Sequence, residues 1–280
     1  MEKLLLIDGM NLLFQMFYGM PERIIGKHGK PIHGTLGFVG ALLRMLRVER
    51  PTHVAVLFDG ETCNPRKLLD ENYKANRPDY QDMPEEEIPF SQLPDIYAAL
   101  KHLGIAYAET ADCETDDWVA GFCLRYGGNM DIVVASQDSD FFQLITDRVK
   151  ILRYRGERSM LCDSRYIQEK LGIVPSQYAA WKSLVGDSAD NIKGAPGVGP
   201  KTAAALLAQF GDLESILQNA DAIQKPSVRA SVQQSADRIR KNDALIRLSG
   251  CQCLPFSLEE LKYTYLGHST WEVLHAIGLR

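Results

Sequence analysis

Three short apolar runs in the first half of the chain each end in an acidic residue. They are KLLLIDG at 3–9, HVAVLFDG at 53–60 and DIVVASQDSD at 131–140. Apolar runs of this length are typical of strands that are buried on both faces, as in parallel sheets. Each run therefore predicts a buried strand with a carboxylate at its carboxyl end.

Helical patterns separate these runs, as in GTLGFVGALLRMLRVE at 34–49 and LPDIYAALKHLG at 93–104. Strands that alternate with helices predict an α/β fold, a mostly parallel twisted sheet with helices on both faces. Such sheets bind ligands beyond the carboxyl ends of their strands. We therefore expect four aspartates to converge on one edge of the sheet: Asp8, Asp59, Asp138 and Asp140.

The rest of the chain predicts three further features. Residues 61–92 lack a steady period and leave the sheet just past Asp59, so they form a long excursion from that edge. From about 166 the pattern becomes helical. We predict an α/β domain at 1–165, a helical region at 166–250, and a tail at 251–280 that packs on the core.

Composition narrows the classes of function. The chain has 280 residues, 45% of them hydrophobic, and its six cysteines show no zinc spacing, so reduced thiols in a cytosol are expected. No segment predicts a signal peptide or a membrane span. The net charge of -5 argues mildly against nucleic acid, unless many of the acids are gathered at one metal site.

Two acidic clusters lie close to the predicted strands. Glu114, Asp116 and Asp117 stand at the start of a predicted helix, where one acid can cap the helix but three in four residues would repel one another. Asp138 and Asp140 alternate along an extended segment, so their side chains point the same way. Helix capping and ordinary loop acids are the alternatives.

A third acidic pair lies in the helical region. Asp187 and Asp190 have helical i, i+3 spacing and share one face, although a solvated helix end explains them as well. Together with Asp8 and Asp59 the clusters make nine acids, without histidine or cysteine among them. Such hard oxygen ligands indicate Mg²⁺ or Mn²⁺. Two ions roughly 4 Å apart can activate water and stabilise a leaving oxygen, which is phosphodiester hydrolysis.

The stretch GAPGVGPKTA at 194–203 predicts a phosphate-binding turn. Gly197 and Gly199 permit close backbone approach, and the following helix offers its N-terminus together with Lys201. An ordinary inter-helix turn is the alternative, and the GK[ST] of an NTP-binding loop is absent. A further basic set extends the contact or forms a solvated face: Arg229, Arg238, Arg240 and Lys241.

The excursion carries three more candidates in ENYKANRP. Lys74 and Arg77 are placed to contact a scissile phosphate opposite the metals, and Tyr73 to stack on a base. An exposed loop with incidental charges is the alternative.

These motifs closely resemble the 5′-nuclease (flap endonuclease) family, which includes the N-terminal domain of bacterial DNA polymerase I and stand-alone phage and bacterial enzymes. The resemblance covers about residues 3–250. Five motifs in the family's order and spacing carry it: IDG at 7–9, FDG at 58–60, ETDD at 114–117, DSD at 138–140 and GDSADNIKGAPGVGPKTA at 186–203.

The resemblance implies a PIN-like or resolvase-like α/β domain followed by a helix–three-turn–helix DNA-binding region. It assigns one metal site to Asp8, Asp59, Glu114 and Asp116, a second to Asp138, Asp140 and Asp187, and outer-shell water to Asp117 and Asp190. Lys74 and Arg77 match residues of an arch, about 61–92, that contact the reacting phosphate. The turn at 194–201 matches an element that grips duplex DNA, often with bound K⁺.

The activity implied is that of a stand-alone 5′→3′ exonuclease and flap endonuclease in DNA replication and repair. It would use two Mg²⁺ ions, which Mn²⁺ can replace, on branched, flapped or nicked DNA, as a monomer in a bacterial or phage cytoplasm. Three positions depart from the polymerase-linked pattern and concern the handling of the 5′ end: Gln15, Gln137 and Ser139. The chain ends at Arg280, so we expect no attached polymerase.

Two other classes remain as alternatives. A catalytically weak or inactive relative that binds branched DNA would gain nothing from nine unneutralised acids that face phosphate. A phosphatase or ribonuclease on a similar sheet is the other, and a D-x-D phosphatase requires that motif at the first strand, where IDGMN lacks it.

Overall fold

The computed structural model describes residues 2–27, 29–60, 65–78, 80 and 83–280. Part of the predicted arch, with Cys63, lies outside the described residues. No helix in the described ranges combines the length and the apolar character that a bilayer crossing requires.

Among the described residues, six strands form one sheet in the order β3-β2-β1-β4-β5-β6. All neighbours pair in parallel except β5 and β6, which are antiparallel. The strands are β1 (Lys3–Asp8), β2 (His53–Phe58), β3 (Ala106–Glu109), β4 (Asp131–Ala135), β5 (Val149–Arg153) and β6 (Met160–Cys162). This topology confirms the predicted α/β fold.

Helices cover the sheet and form the C-terminal region. Those of the N-terminal half are α1 (Gly9–Gly19), α2 (His33–Glu49), α3 (Pro65–Leu69), α4 (Leu93–His102) and α5 (Thr115–Tyr126). Those that follow β6 are α6 (Ser164–Leu171), α7 (Tyr178–Val185), α8 (Pro200–Phe210), α9 (Leu213–Gln218), α10 (Pro226–Gln234), α11 (Ala236–Ile246) and α12 (Thr270–Ala276).

The alternation of side chains along β1 divides the core into two layers. Leu4 and Leu6 belong to a cluster that includes residues of α5 and continues into α7 and α8, whereas Leu5 and Ile7 belong to a cluster with α1, α2 and α4. Both faces of the strand are buried, which explains its continuous apolar sequence. The tail closes the second layer, since Val273 of α12 is fully buried there.

Two details of the chain differ from the simplest expectation. The segment after α7 contains a short antiparallel pair, β7 (Gly186–Asp187) with β8 (Ile192–Lys193), before the glycine–proline turn begins. The described part of the excursion has one short helix, α3, followed by turns over residues 71–77 and by 3-10 turns at Glu85–Glu87 and Pro89–Gln92.

Candidate metal centre and nucleic-acid interface

A cavity of about 860 Å³ opens at the carboxyl edge of the sheet. It lies where β1 separates β2 from β4, so that the chain segments that follow these strands diverge around it. Four of the predicted acids line it: Asp8, Asp59, Asp116 and Asp138. Three of the four acids that the apolar runs predicted to converge, Asp8, Asp59 and Asp138, thus meet in this cavity, whereas Asp140 belongs to a second cluster.

Local hydrogen bonds fix the strand-end acids. Asp8 caps α1 by accepting from the backbone N of Asn11 at 3.0 Å, and it also accepts from the Ser136 hydroxyl at 2.9 Å. Asp59 accepts from the backbone N of Thr115 at 2.8 Å, at the start of α5. These bonds leave further carboxylate oxygen lone pairs for a cation.

The glycine of the FDG motif has a steric role. A Cβ atom on Gly60 would lie 2.0 Å from the carbonyl oxygen of Thr110. Only glycine permits this approach of the two segments that follow β2 and β3. The motif thus brings Asp59 to the same cavity as Asp116 of α5.

The clustering of the acids disfavours their charges. Burial raises the pKa of Asp8 to about 7, and the negative charge of Asp59 contributes to the increase. The pKa of Asp116 is raised well above its ordinary value by burial and then by the charge of Asp138. A divalent cation among these groups would reverse the effect, because it stabilises the ionised carboxylates.

Three other predicted acids form a second cluster. Carboxylate oxygens of Asp140, Asp187 and Asp190 all lie within 4.8 Å of one another. The ammonium of Lys182 forms an ion pair with Asp140 and a second with Asp187 at 2.6 Å. Arg77 donates to Asp190 at 3.0 Å.

Lys182 was not among the predicted site residues. Burial opposes its positive charge, but the carboxylates, chiefly that of Asp140, outweigh burial and raise its pKa. The available signal was a single lysine in the otherwise apolar helical stretch AAWKSLV, five residues before Asp187. A lone buried charge in such a stretch requires a partner.

The remaining two acids, Glu114 and Asp117, are paired with basic residues. Arg66 forms an ion pair with Glu114 and two hydrogen bonds with Asp117, at 2.8 and 2.9 Å. Lys74 forms an ion pair with Glu114. The capping alternative also holds in part, because the backbone N of Glu114 donates to Asp117 at 3.4 Å. Arg66, like Lys182, was not predicted.

Tyr73 requires a correction. The prediction of a stacking residue assumed an exposed side chain, but Tyr73 is 4% exposed and packs in a cluster with Ala179, Ile192 and Leu245. The excursion folds back onto α7 and α11, which buries this ring. Its hydroxyl lies 3.4 Å from Glu114.

Other aromatic rings do border the cavity. Phe14 and Phe90 line it, and their ring centroids are 5.4 Å apart in an edge-to-face contact. Tyr80 contacts both rings in the same geometry. Phe14 lies on α1, the helix that Asp8 caps, and the acids and the aromatic rings share one opening.

The predicted phosphate-contacting residues lie beside the acids, and each forms an ion pair with one of them. Lys74 and Arg77 both line the cavity. The backbone N of Lys74 donates to the carbonyl of Asp190 at 3.1 Å. Asn76 donates to the carbonyl of Ser188 at 2.9 Å, so the base of the excursion is attached to the loop that carries Asp190.

The turn before α8 contains the two glycines of the predicted phosphate-binding turn. Gly197 has a φ of +75°, a left-handed conformation that favours glycine, and Gly199 is the N-cap of α8. Nothing lies within 4 Å of a Cβ built on either glycine. Lys201, in the first turn of α8, is exposed. The backbone at this turn is therefore open to a ligand.

The further basic set is partly engaged within the protein. Arg240 pairs with Glu214 at 3.2 Å, and Lys241 pairs with Asp70 at 2.8 Å. Arg229 donates to the carbonyl of Ile223 and Arg238 to that of Gly194.

The departures at Gln15 and Gln137 have a common structural role. Both side-chain amides donate to the carbonyl oxygen of Tyr154, at 2.7 and 2.8 Å respectively. They thus link α1 and the segment after β4 to the end of β5.

The donor chemistry of the two clusters fits divalent cations. All seven acids of the cavity and the second cluster offer oxygen, as Mg²⁺ and Mn²⁺ prefer.

Comparison with known families matches nearly the whole chain. A model described as the 5′-3′ exonuclease N-terminal resolvase-like domain matches residues 3–172. A model described as the 5′-3′ exonuclease C-terminal SAM fold matches residues 173–268.

Curated relatives agree with these matches. A 5′-3′ exonuclease of Streptomyces coelicolor is 33% identical over 243 residues, which is 82% of this chain and 78% of the relative. DNA polymerase I of Rhizobium leguminosarum is also 33% identical, over 93% of this chain but only 26% of the polymerase. The chain thus spans about a quarter of the polymerases it matches.

Solved structures share the fold. The T5 D15 protein co-crystallised with metal ions superposes with a TM-score of 0.73 at 22% identity, covering 88% of this chain and 90% of that one. The catalytic core of Rad2 in complex with DNA substrate superposes with a TM-score of 0.60 at 18% identity, covering 99% and 93%.

Proposed function

The chain belongs to the 5′-3′ exonuclease family, and on that premise we propose that it is a structure-specific 5′→3′ exonuclease and flap endonuclease that hydrolyses DNA phosphodiesters. The observation that carries the proposal is the cavity at the sheet edge. It presents four converging carboxylates and, on the same lining, the basic side chains of Lys74 and Arg77.

Seven acids would hold the divalent cations. Asp8, Asp59, Asp116 and Asp138 supply one set of oxygens, and Asp140, Asp187 and Asp190 supply the other. When bound, two such cations lower the pKa of water and stabilise negative charge on a leaving oxygen. Mg²⁺ is the ion we propose, with Mn²⁺ as a substitute. The other two predicted acids, Glu114 and Asp117, pair with Arg66, and Glu114 also pairs with Lys74.

Two basic residues would bind the reacting phosphate. Lys74 and Arg77 are the only basic side chains among the described residues that line the cavity. Lys74 forms an ion pair with Glu114, and Arg77 forms one with Asp190. A phosphate group bound between these side chains would replace Glu114 and Asp190 as their negatively charged partner. Such charge-assisted contacts position a phosphodiester and stabilise the charge that develops in the transition state.

Aromatic rings at the same opening would hold the 5′ end. We assign base stacking to Phe14 and Phe90 in place of the buried Tyr73. Stacking on an aromatic ring contributes about 1–3 kcal/mol per base and tolerates any sequence. A single-stranded end would therefore be held without base specificity.

Duplex DNA would bind at the turn before α8. Gly197 and Gly199 leave the backbone open, and Lys201 adds a positive charge at the helix N-terminus. A helix N-terminus and a lysine together favour a phosphate group. A K⁺ ion at this turn remains part of the proposal.

The biological setting is proposed from the relatives. The Streptomyces coelicolor relative, most of whose length is matched, is named a 5′-3′ exonuclease. We propose that this chain acts as a monomer on branched, flapped or nicked DNA during replication and repair, in a bacterial or phage-infected cytoplasm.

A labelled-substrate assay tests this function. The protein is incubated with a 5′-flap duplex, a nicked duplex and a single strand, each with Mg²⁺ or with EDTA. Cleavage of the flap and the nicked duplex in Mg²⁺ alone, at the branch or from the 5′ end, supports the proposal. Binding of the flap without any cleavage in either Mg²⁺ or Mn²⁺ supports the inactive DNA-binding alternative.

A further inference from the structure

Lys182 is a buried cation at the centre of the second acidic cluster. It is 7% exposed, in the middle of α7, where Ala179, Ala180 and Leu184 are also buried. Its ammonium contacts both Asp140 and Asp187, which come from segments 42 and five residues away in the chain. An ammonium this deeply buried is stable only when it is paired.

The cluster is compensated from two directions. Lys182 approaches from α7 and pairs with Asp140 and Asp187, whereas Arg77 approaches from the excursion and pairs with Asp190. Three carboxylates within 4.8 Å of one another therefore face two basic side chains of this same chain. A divalent cation bound by these carboxylates shares them with Lys182 or displaces it.

We propose that Lys182 is an internal counter-cation that holds Asp140 and Asp187 together until a divalent cation binds, and that competes with that cation for their oxygens. The inference rests on the proposed function, because it concerns the second of the two cation positions. Lys182 acts through the two aspartates and is therefore a positioning residue. It keeps the cluster assembled, and it weakens cation binding there.

A purely structural lysine predicts a different response. If Lys182 only supported α7, its removal would loosen the cluster and weaken cation binding together with folding. If it is a counter-cation, its removal leaves like charges unneutralised and lowers stability without cations, while it frees the carboxylates for a cation. The two roles thus predict opposite changes in cation affinity.

The test compares the full chain with Lys182→Met, which removes the charge, and Lys182→Arg, which keeps it. Lys170→Met is the matched control, because Lys170 is exposed and contacts only the neutral Tyr166 hydroxyl and ring among its described contacts. Mn²⁺ affinity is measured by calorimetry on EDTA-stripped protein. Melting temperatures are measured in EDTA and in excess Mn²⁺.

The expected result is a change of opposite sign in the two measurements. Lys182→Met should melt at a lower temperature than wild type in EDTA. Of the two Mn²⁺ ions, it should bind the one with lower affinity at least about threefold more tightly than wild type does. Excess Mn²⁺ should therefore reduce the difference in melting temperature between the two proteins. Lys170→Met should stay within about twofold of wild-type affinity, and Lys182→Arg, which keeps the positive charge, should not bind Mn²⁺ more tightly than wild type. Unchanged or weaker Mn²⁺ binding by Lys182→Met overturns the inference.

A measurement on wild type covers the case in which Lys182→Met does not fold. The side-chain nitrogen signal of Lys182 in ¹⁵N-lysine protein is assigned by its loss in Lys182→Arg and is followed during a Mg²⁺ titration. A shift or loss of that signal supports the inference, and an unchanged signal at saturating Mg²⁺ overturns it. If wild type binds neither Mg²⁺ nor Mn²⁺, the proposed function fails together with the inference. If wild type binds two divalent cations, a failed prediction counts against the role of Lys182 alone.

Discussion

Arg66 donates two hydrogen bonds to Asp117, at 2.8 and 2.9 Å, and forms a further ion pair with Glu114. Arg66 lies on α3, at the start of the excursion, and both acids lie at the start of α5. The pair therefore attaches the excursion to the helix that supplies Asp116 to the cavity. Arg66 Nε also donates to the carbonyl oxygen of Leu245, which extends the attachment to α11.

Replacement of Arg66 by methionine should destabilise the fold. The substitution leaves two largely buried carboxylates without their guanidinium, and breaking a buried pair in this way costs about 3–5 kcal/mol. Urea unfolding monitored by circular dichroism measures the loss. Arg165→Met is the control, because Arg165 and its partner Glu169 are exposed and such pairs contribute less than about 1 kcal/mol. Equal stability changes in the two variants would contradict the structural role of Arg66.

Asp116→Asn should separate activity from stability. The variant removes a cation ligand from the cavity, and we expect Mg²⁺-dependent flap cleavage to fall by more than about a hundredfold. Burial and then the charge of Asp138 raise the pKa of the Asp116 carboxyl, with Lys74 opposing them, so a neutral amide at this position should not lower the melting temperature in EDTA. Asp237→Asn, at a fully exposed acid, is the control for both measurements. Cleavage at the wild-type rate would remove Asp116 from the site.

Asp8 should make the stability of the EDTA-treated protein fall as the pH rises. Its pKa is about 7 in the fold and 3.8 as the ordinary value, so between these values the folded state holds more protons than the unfolded state. Stability then decreases from about pH 4 towards pH 7 on account of this group. The measurement is the unfolding free energy as a function of pH. Asp8→Asn, which can still cap α1, should show a smaller decrease, and an identical pH profile would refute the assignment.

Lys201→Ala should weaken duplex binding and reduce its salt dependence. Loss of one phosphate contact lowers the slope of log K against log salt by about 0.9. Fluorescence anisotropy with a labelled duplex, at several salt concentrations, gives the slope. Lys225→Ala, an exposed lysine before α10, serves as the control. A slope equal to that of wild type would show that Lys201 makes no phosphate contact.

The sequence was most informative where a run of buried apolar residues was followed directly by an acidic residue. The apolar runs that became β1, β2 and β4 predicted the sheet, and the acids at their ends predicted the cavity. The four-residue strand β3, of sequence AYAE, has no such pattern, since its residues are only partly buried at the sheet edge. Its apolar content was too small to mark a strand.

The charge pairs could not be predicted in the same way. Arg66 meets Asp117 across 51 residues and Lys182 meets Asp140 across 42, so each pair exists only once the excursion and α7 have packed on the sheet. The prediction that Tyr73 stacks on a base was wrong for the same reason. Its ring is buried because the segment that carries it folds back onto α7 and α11. Sequence patterns report burial along one element, whereas these contacts depend on how separate elements meet.

The most direct test of the two-cation centre is a crystal structure of the protein soaked in Mn²⁺, with anomalous scattering used to locate the ions. The account predicts two Mn²⁺ peaks about 4 Å apart, one bound by acids of the group Asp8, Asp59, Asp116 and Asp138 and the other by acids of the group Asp140, Asp187 and Asp190. No peak at either group of carboxylates in saturating Mn²⁺ would contradict it.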